Sequence, residues 1–171
     1  MNNQDRLTTG ARVVVRVASL ANRIFLTAAV LGLAASIVAT TQFAGLVGHM
    51  LPGADIPEAM AGVRWTLCLG IVMSLIADRL LTILATIIAS ASDPFVAVNA
   101  GRLQMIAWCL LALQLCEIPG ALITSGYPAM GSAAPGGEFS IAGWISVLMV
   151  FVLARVFAVG AAMRDDLAGT I

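Results

Sequence analysis

The residues of this sequence best placed to do chemistry are ionisable side chains inside long apolar stretches: Asp78, Glu117 and Arg155. On insertion scales, such a residue at the centre of a membrane helix costs about 2.5–3.5 kcal/mol, so each one requires a partner or a function. Asp78 and Arg155 have similar estimated depths and form a candidate intramembrane polar pair, with Arg79 as a competing partner. The pair could be an ion pair that fixes helix register, or Asp78 could relay protons or cations. Asp78 could also face an inner cavity or the membrane interface.

A second polar group is predicted nearer the outer surface of the membrane. Glu117 is followed by Pro119 and Gly120, which loosen a helix and leave backbone groups that need hydrogen-bond partners. His49 and Arg64 lie at a similar estimated depth. We expect His49, Arg64 and Glu117 to form an outer polar cluster whose members satisfy one another, and a ligand-binding mouth is the alternative interpretation.

The remaining candidates for chemistry are few. His49 is the one histidine, so a multi-histidine metal site is excluded. The cysteines Cys68, Cys109 and Cys116 form no Cys-x-x-Cys motif, and we expect them to pack as small apolar residues, with a Cys68–Cys116 bridge as the alternative. Hydrolase, zinc-protease and phosphate-loop motifs are absent. The sequence therefore predicts no enzyme, no metal and no cofactor.

The elements that position these residues are predicted to be membrane-spanning helices. Hydrophobic residues make up 60% of the chain and charged residues 11%, too few charges to cover a water-soluble protein of 171 residues. A helix needs about 20 residues to cross the hydrocarbon core, and four apolar stretches are long enough. We expect a single all-α integral membrane domain over 1–171, with helices at about 24–48, 64–91, 103–124 and 140–163.

The arginines predict the orientation of this four-helix bundle. All nine basic residues are arginine, and most precede the first stretch, lie in the second connector or follow the fourth stretch, which places both termini in the cytoplasm. Residues 1–23 are then cytoplasmic or interfacial, and 164–171 form a cytoplasmic tail. Within 11–23 the arginines share one helical face, which predicts an amphipathic lead-in helix on anionic lipid or, alternatively, on a cytoplasmic partner. The zero net charge predicts no direct nucleic-acid partner.

The second connector reads Asp93-Pro94-Phe95, then Asn99 and Arg102, and has the character of a helix start. Together with the tail Arg164-Asp165-Asp166-Leu167 it resembles a bacterial membrane family of uncharacterised activity, domain of unknown function 2975. The resemblance covers nearly the whole chain. It implies a small multi-pass protein of the bacterial inner membrane, with a small helix-turn-helix regulator as its expected partner. Self-association is the alternative, which stripes of small residues in the first and fourth stretches permit.

From these observations we expect a membrane-bound sensor or regulatory interaction protein that works through its cytoplasmic face. Its expected partner surface is carried by the second connector and the C-terminal tail: Asp93, Pro94, Phe95, Asn99, Arg102, Arg164, Asp165 and Asp166. The alternative is a small transporter or channel component that uses Asp78 and Arg155. Besides any protein partner, the lipid bilayer itself is an expected partner.

Overall fold

The structure is a computed structural model that describes residues 3–89, 97–136 and 140–168, and these residues form helices without a strand. We number the α-helices in chain order. They are α1 (Asn3–Val38), α2 (Thr40–Met50), α3 (Ile56–Ala89), α4 (Ala97–Leu115), α5 (Glu117–Gly126) and α6 (Ile141–Ala168), with a 3-10 helix at Pro128–Ala133 between the last two.

Within the described ranges, four helical segments are long and apolar enough to cross a membrane: Thr9–Val38, Ile56–Ala89, Val98–Gly126 and Ile141–Arg164. Large apolar side chains cover their outer surfaces. On α6, for example, Leu148, Val152 and Val156 are 60–64% exposed. Water would penalise so much exposed apolar area at roughly 25 cal/mol per Å², whereas lipid does not. The predicted all-helical fold with four apolar spans is confirmed, while the direction of the termini stays a prediction.

The first predicted span, 24–48, is interrupted. A continuous α1 begins at Asn3, so the predicted lead-in residues 11–23 belong to the same helix as the apolar stretch. Ala39 then leaves helical geometry at φ −111° and ψ 51°, and α2 follows from Thr40. Hydrogen bonds from Ala39 N–H to Ala35 and from Phe43 N–H to Ala39, each 2.9 Å, carry the chain through this kink.

The second span starts earlier than predicted, at Ile56 rather than at residue 64. The carbonyl of Asp55 accepts the N–H of Ala59 at 2.8 Å and so begins the helical ladder. Pro57 fits here because the first turn of a helix needs no N–H from it. The segment that contains Pro57 and Glu58, interpreted as connector from the sequence, is therefore the first turn of α3.

The third span, predicted at 103–124, consists of α4 and α5 on either side of Cys116. Pro119 lacks an N–H, and its ring clashes with the carbonyl of the residue four positions earlier, which is Leu115. The ladder fails at that residue, and α4 ends there. The predicted loosening is thus observed, with the interruption N-terminal to Pro119. The connector after Gly126 contains the 3-10 helix, and α6 continues past residue 163 to Ala168.

The chain divides into two compact units. Unit 1 comprises Met1–Ala21, Ile76–Gln114 and Ser140–Ile171, and unit 2 comprises Asn22–Leu75 and Leu115–Phe139. In unit 2, Val47 of α2 packs on Ala59 and Met60 of α3, and Glu58 Oε1 accepts the N–H of Ala129 in the 3-10 helix at 3.1 Å. In unit 1, the ring of Trp108 on α4 meets that of Phe151 on α6 edge to face, with centroids 5.3 Å apart.

Candidate functional site

The kink between α1 and α2 in unit 2 carries a buried polar contact. Ser36 is fully buried, and its hydroxyl donates to the carbonyl of Leu33 at 2.7 Å. Arg64 of α3 donates from Nε to Ser36 Oγ at 3.3 Å and from Nη2 to the carbonyl oxygen of Ser36. The guanidinium therefore binds the hydroxyl and the backbone carbonyl of one residue on the neighbouring helix.

This contact explains where the first helix is interrupted. In an unbroken helix the carbonyl of Ser36 would accept the N–H of Thr40. In this structure it accepts a guanidinium N–H from another helix. Helices kink where a side chain enters the backbone ladder, and apolar surroundings require that the released carbonyl find another donor. Arg64 supplies that donor beside the non-helical Ala39.

Arg64 was predicted to join His49 and Glu117 in an outer polar cluster, and its contacts differ from that prediction. All three residues are described, and the hydrogen bonds of Arg64 go to Ser36 and not to His49 or Glu117. His49 is exposed in the last turn of α2, and Glu117 is half-buried at the start of α5. The reason is register along the helices: α3 aligns Arg64 with the carbonyl that the kink in the first span releases.

A second polar contact joins α1 and α3 within unit 2. Asn22 Nδ2 donates to the carbonyl of Ser74 at 3.0 Å, and Ser74 Oγ donates to Asn22 Oδ1 at 3.0 Å. Ser74 is only 3% exposed. Sequence reasoning missed this pair because it considered ionisable residues alone. Ser74 carries a hydroxyl inside a predicted span, but Asn22 lies beside Arg23 in the predicted lead-in segment, so the sequence alone did not indicate the pair.

Unit 1 contains a crevice between α3 and α4, which we call the arginine crevice. Residues at positions i, i+3, i+4 and i+7 of each helix line it, so one face of each helix contributes. Its volume is about 380 Å³, and its polar lining residues are Arg79, Thr82, Thr86 and Arg102. Arg102 Nη1 donates to Asn99 Oδ1 at 3.1 Å, and Asn99 is 5% exposed.

A larger groove of about 610 Å³ lies between α4 and α6 of unit 1. Arg155 lines it together with Gln104, Gly101 and a row of alanines that includes Ala154 and Ala158. Arg155 itself is exposed. Asp78, half-buried on α3, is not among the described residues that line this groove. The pairing of Asp78 with Arg155 stays a prediction.

The residues predicted to form a partner surface differ in exposure. Arg164 is exposed and Arg102 is half-buried, whereas Asn99 is buried and contacts the guanidinium of Arg102. Asn99 can thus orient Arg102 but offers little surface of its own. The remaining predicted surface residues fall outside the described part of the chain, either entirely or in their side chains: Asp93, Pro94, Phe95, Asp165 and Asp166.

Gln114 of α4 carries a buried polar atom that the sequence analysis did not single out. Its Nε2 has no hydrogen-bond partner in the structure, and the residue is 8% exposed. The side chain packs on Gly143 of α6, where a Cβ would lie 2.9 Å from Gln114 Cδ and would collide with Oε1. Gly143 therefore provides the space that the buried amide occupies.

The described residues contain no group of three or more His, Cys, Asp or Glu that could hold a metal ion. Cys68, Cys109 and Cys116 are free and partly buried, so the alternative of a Cys68–Cys116 bridge is not observed. The polar contacts described above join helices to one another or line surface crevices, and they define no catalytic arrangement.

With this geometry established, the class of the chain follows from its four long apolar helices: it is a multi-pass α-helical membrane protein. Comparisons with known proteins go no further, because no family model, no curated protein and no solved structure matches the chain. The resemblance to domain of unknown function 2975 therefore rests on the residues quoted for it and stays a prediction.

Proposed function

We propose that this chain is a small protein of the bacterial inner membrane that regulates a cytoplasmic partner through the side of the molecule on which its termini lie. The set of chain segments that make up unit 1 supports this proposal most directly. That unit contains the N-terminal residues, the second connector and the C-terminal tail. These are the three segments that the alternation of four spans assigns to one side of the membrane.

The distribution of arginine supports a cytoplasmic position for that side. Unit 1 contains seven of the nine arginines, and unit 2 contains Arg23 and Arg64. Loops and helix ends rich in arginine stay on the cytoplasmic side during insertion. A cytoplasmic position for the termini, the second connector and the tail follows, with the amphipathic start of α1 beside anionic headgroups.

The resemblance to domain of unknown function 2975 suggests the kind of partner. In that family the membrane protein is often encoded beside a short helix-turn-helix regulator. We propose that such a regulator, rather than nucleic acid itself, binds the second connector and the tail, and that the chain performs no catalysis. The proposal assigns Arg102 and Arg164 to the contact surface.

Site-specific photo-cross-linking in native membranes tests this. A photoreactive residue at Val98 or Met163, which are 58% and 59% exposed in unit 1, is expected to capture the neighbouring regulator. The matched controls are Met50 and Leu122 of unit 2, which are 70% and 66% exposed. Capture from all four positions, or of another copy of the chain alone, would contradict the proposal.

A transporter or channel component is the second candidate, favoured by one observation: Arg155 is exposed beside a groove of about 610 Å³. The two proposals differ in what they require of Asp78 and Arg155. If the pair is structural, the double variant Asp78→Asn, Arg155→Leu keeps both membrane levels and regulator capture. Loss of proton or cation flux in liposomes made with this variant, at normal protein levels, would support transport instead.

A further inference from the structure

Arg155 is an exposed charge near the middle of an apolar span. The span Ile141–Arg164 has its centre near residue 152, so with a rise of about 1.5 Å per residue Arg155 lies about 4 Å from that centre. A guanidinium stays protonated, and a charge at this depth is costly when it faces lipid. Within the described part of the chain, no hydrogen bond or ion pair involves Arg155. A negatively charged group at the same depth would therefore stabilise it.

The groove beside Arg155 follows α6 for about three turns. Its lining residues on α6 extend from Phe151 to Ala162, which is about 16 Å along the helix axis. Most of the residues between these ends are alanines, and α4 contributes Ala100 and Gly101. Small side chains let a further helix approach closely, as they do in the interfaces between membrane helices. The groove of about 610 Å³ thus has the lining of a helix-packing surface.

Two contacts give the direction of α4 against α6. The ring of Trp108 meets that of Phe151 edge to face, and further along α4 the side chain of Gln114 packs on Gly143. The later residue of α4 thus contacts the earlier residue of α6. The two helices are therefore antiparallel where they form the walls of the groove.

This register places Gln104 and Arg155 at the same level of the groove. Gln104 precedes Trp108 by one turn, and Arg155 follows Phe151 by one turn. Both side chains are exposed and line the groove. The guanidinium offers a fork of N–H donors, and the amide offers two more. A carboxylate can accept hydrogen bonds from both groups, so an aspartate or glutamate side chain matches this level of the groove.

The depth of Arg155 favours a helix over a lipid headgroup as the occupant. The hydrocarbon core is about 30 Å thick, so phospholipid phosphates lie about 15 Å from its centre. A carboxylate on a transmembrane helix can lie at the level of Arg155 itself. A second copy of this chain fits less well, because contact between two α6 helices through this groove would bring two guanidinium groups together, and like charges repel. Asp78 is half-buried on α3.

We propose that the groove between α4 and α6 binds a transmembrane helix of another membrane protein, and that this helix carries an aspartate or glutamate near the middle of the bilayer. The carboxylate accepts hydrogen bonds from Arg155 and Gln104, and the helix packs along the alanines of α6. Close packing and interhelical hydrogen bonds are the main forces that associate helices in lipid. The proposal does not depend on the cytoplasmic regulator, because the groove lies within the span.

A synthetic transmembrane peptide tests this proposal. The probe is a leucine-alanine helix with one central glutamate, and matched peptides carry glutamine or leucine at that position. Each labelled peptide is reconstituted with the labelled full chain in phosphatidylcholine vesicles, and energy transfer is measured as the peptide-to-lipid ratio rises. We expect the glutamate peptide to bind about tenfold more tightly than the leucine peptide, because its carboxylate makes charge-assisted hydrogen bonds. The glutamine peptide is expected to bind with intermediate affinity.

Variants of Arg155 test which residue supplies the charge. Arg155→Leu is expected to remove the preference for glutamate and to leave binding of the leucine peptide unchanged. Arg155→Glu is expected to reverse the preference, so that a peptide with a central lysine binds and the glutamate peptide does not. Arg79→Gln is the control, because Arg79 is an exposed arginine of α3 that does not line this groove, and it is expected to preserve the preference.

Ala158 provides a steric test of the same groove. It is exposed and lines the groove, so Ala158→Leu places a larger side chain where the partner helix packs. We expect this variant to weaken binding of the glutamate peptide about tenfold. Ala142→Leu is the matched control, because Ala142 is exposed on the same helix but is not among the residues that line the groove. It is expected to bind the peptide normally.

Four outcomes would overturn the proposal. Equal binding of the glutamate and leucine peptides would exclude a carboxylate site. An equal loss in Arg79→Gln would show attraction by overall charge. Displacement of the glutamate peptide when phosphatidylglycerol replaces part of the phosphatidylcholine would identify a site for anionic lipid. Energy transfer between two differently labelled copies of the chain that falls when the glutamate peptide is added would identify a second copy as the occupant.

Discussion

In the described part of the chain, two polar contacts join α1 to α3 through the buried residues Ser36 and Ser74. Ser36 and Arg64 meet at a carbonyl that a kink has released, and Asn22 and Ser74 exchange hydrogen bonds. In an apolar solvent an unsatisfied polar group has no water to replace its partner. These contacts therefore select one rotation and one register for α1 against α3. Their net energies are modest, because an unfolded chain in lipid also finds partners.

The Arg64 contact leads to a prediction at this scale. Arg64→Leu removes the donor that serves the Ser36 carbonyl, and we expect it to lower the free energy of unfolding by about 1.5–3 kcal/mol, the usual range for a hydrogen bond to a charged group. Ser36→Ala removes only the hydroxyl and leaves the carbonyl in place, so it is expected to cost less. Thermal unfolding in one detergent, followed by circular dichroism, measures both.

Arg16→Leu is the matched control for Arg64→Leu, because Arg16 is exposed on α1, and we expect it to change stability little. A cost for Ser36→Ala equal to that for Arg64→Leu would argue that the hydroxyl, and not the carbonyl, is the principal acceptor. A neutral Arg64→Leu variant would mean that the kink forms without the guanidinium.

Sequence reasoning identified some of these residues but not their partners. Arg64, Asp78 and Arg155 stand out because ionisable groups are costly in an apolar stretch. Asn22, Ser74 and Gln114 carry no such signal, since neutral polar side chains are common in membrane helices. The partner of Arg64 was not predictable either, because the carbonyl of Ser36 is released only once the first span is interrupted.

At the scale of helices, the spans were predictable and their interruptions only partly so. Apolar length locates four spans, since about 20 residues must cross the hydrocarbon. The gap at Cys116 follows from Pro119, which removes a donor from the ladder. The kink at Ala39 could not be predicted in this way, because no proline or glycine lies next to it. It depends on Arg64, which is distant in sequence and reaches Ser36 only when α1 and α3 are packed.

Close packing between α3 and the third connector yields a prediction about helix contacts. Gly62 is buried on α3, and a Cβ there would lie 2.8 Å from Met130 Cγ and 2.9 Å from Tyr127 Cβ. Met130 is 1% exposed, and Tyr127 Cβ is bonded directly to the backbone, so it cannot move aside by a rotation of its side chain. We therefore expect Gly62→Ala to lower the free energy of unfolding by about 1–3 kcal/mol through overpacking.

Gly45→Ala is the matched control, because Gly45 lies in α2 and a Cβ there meets nothing within 4 Å. Alanine is favoured over glycine inside a helix by about 1 kcal/mol, so this variant is expected to be neutral or slightly stabilising. Both variants are compared by the midpoint of thermal unfolding. Equal effects of the two would show that the 3-10 helix moves away from Gly62 at little cost.

At the scale of the whole molecule, unit 1 collects the termini and the second connector with most of the arginines, and unit 2 collects the other two connectors. Four spans require this alternation whenever both termini lie on one side. The arginine bias predicts that this side is the cytoplasmic one. The side of the membrane that the termini face is thus predicted from charge. The assignment of segments to unit 1 or unit 2 depends on how the helices pack.

Labelling of single cysteines in intact cells tests the orientation. In a background with Cys68, Cys109 and Cys116 replaced by alanine, Ser132→Cys reports on the third connector, and Met163→Cys reports on the end of α6. Both positions are exposed. A membrane-impermeant maleimide is expected to label Ser132→Cys in intact cells and Met163→Cys only after permeabilisation, because residues followed by Arg164 are retained in the cytoplasm.

Permeabilised cells, in which both positions must react, provide the control for accessibility. The reverse pattern would place the arginines outside and contradict the proposed cytoplasmic surface, while labelling of both positions in intact cells would indicate that the chain inserts in two orientations.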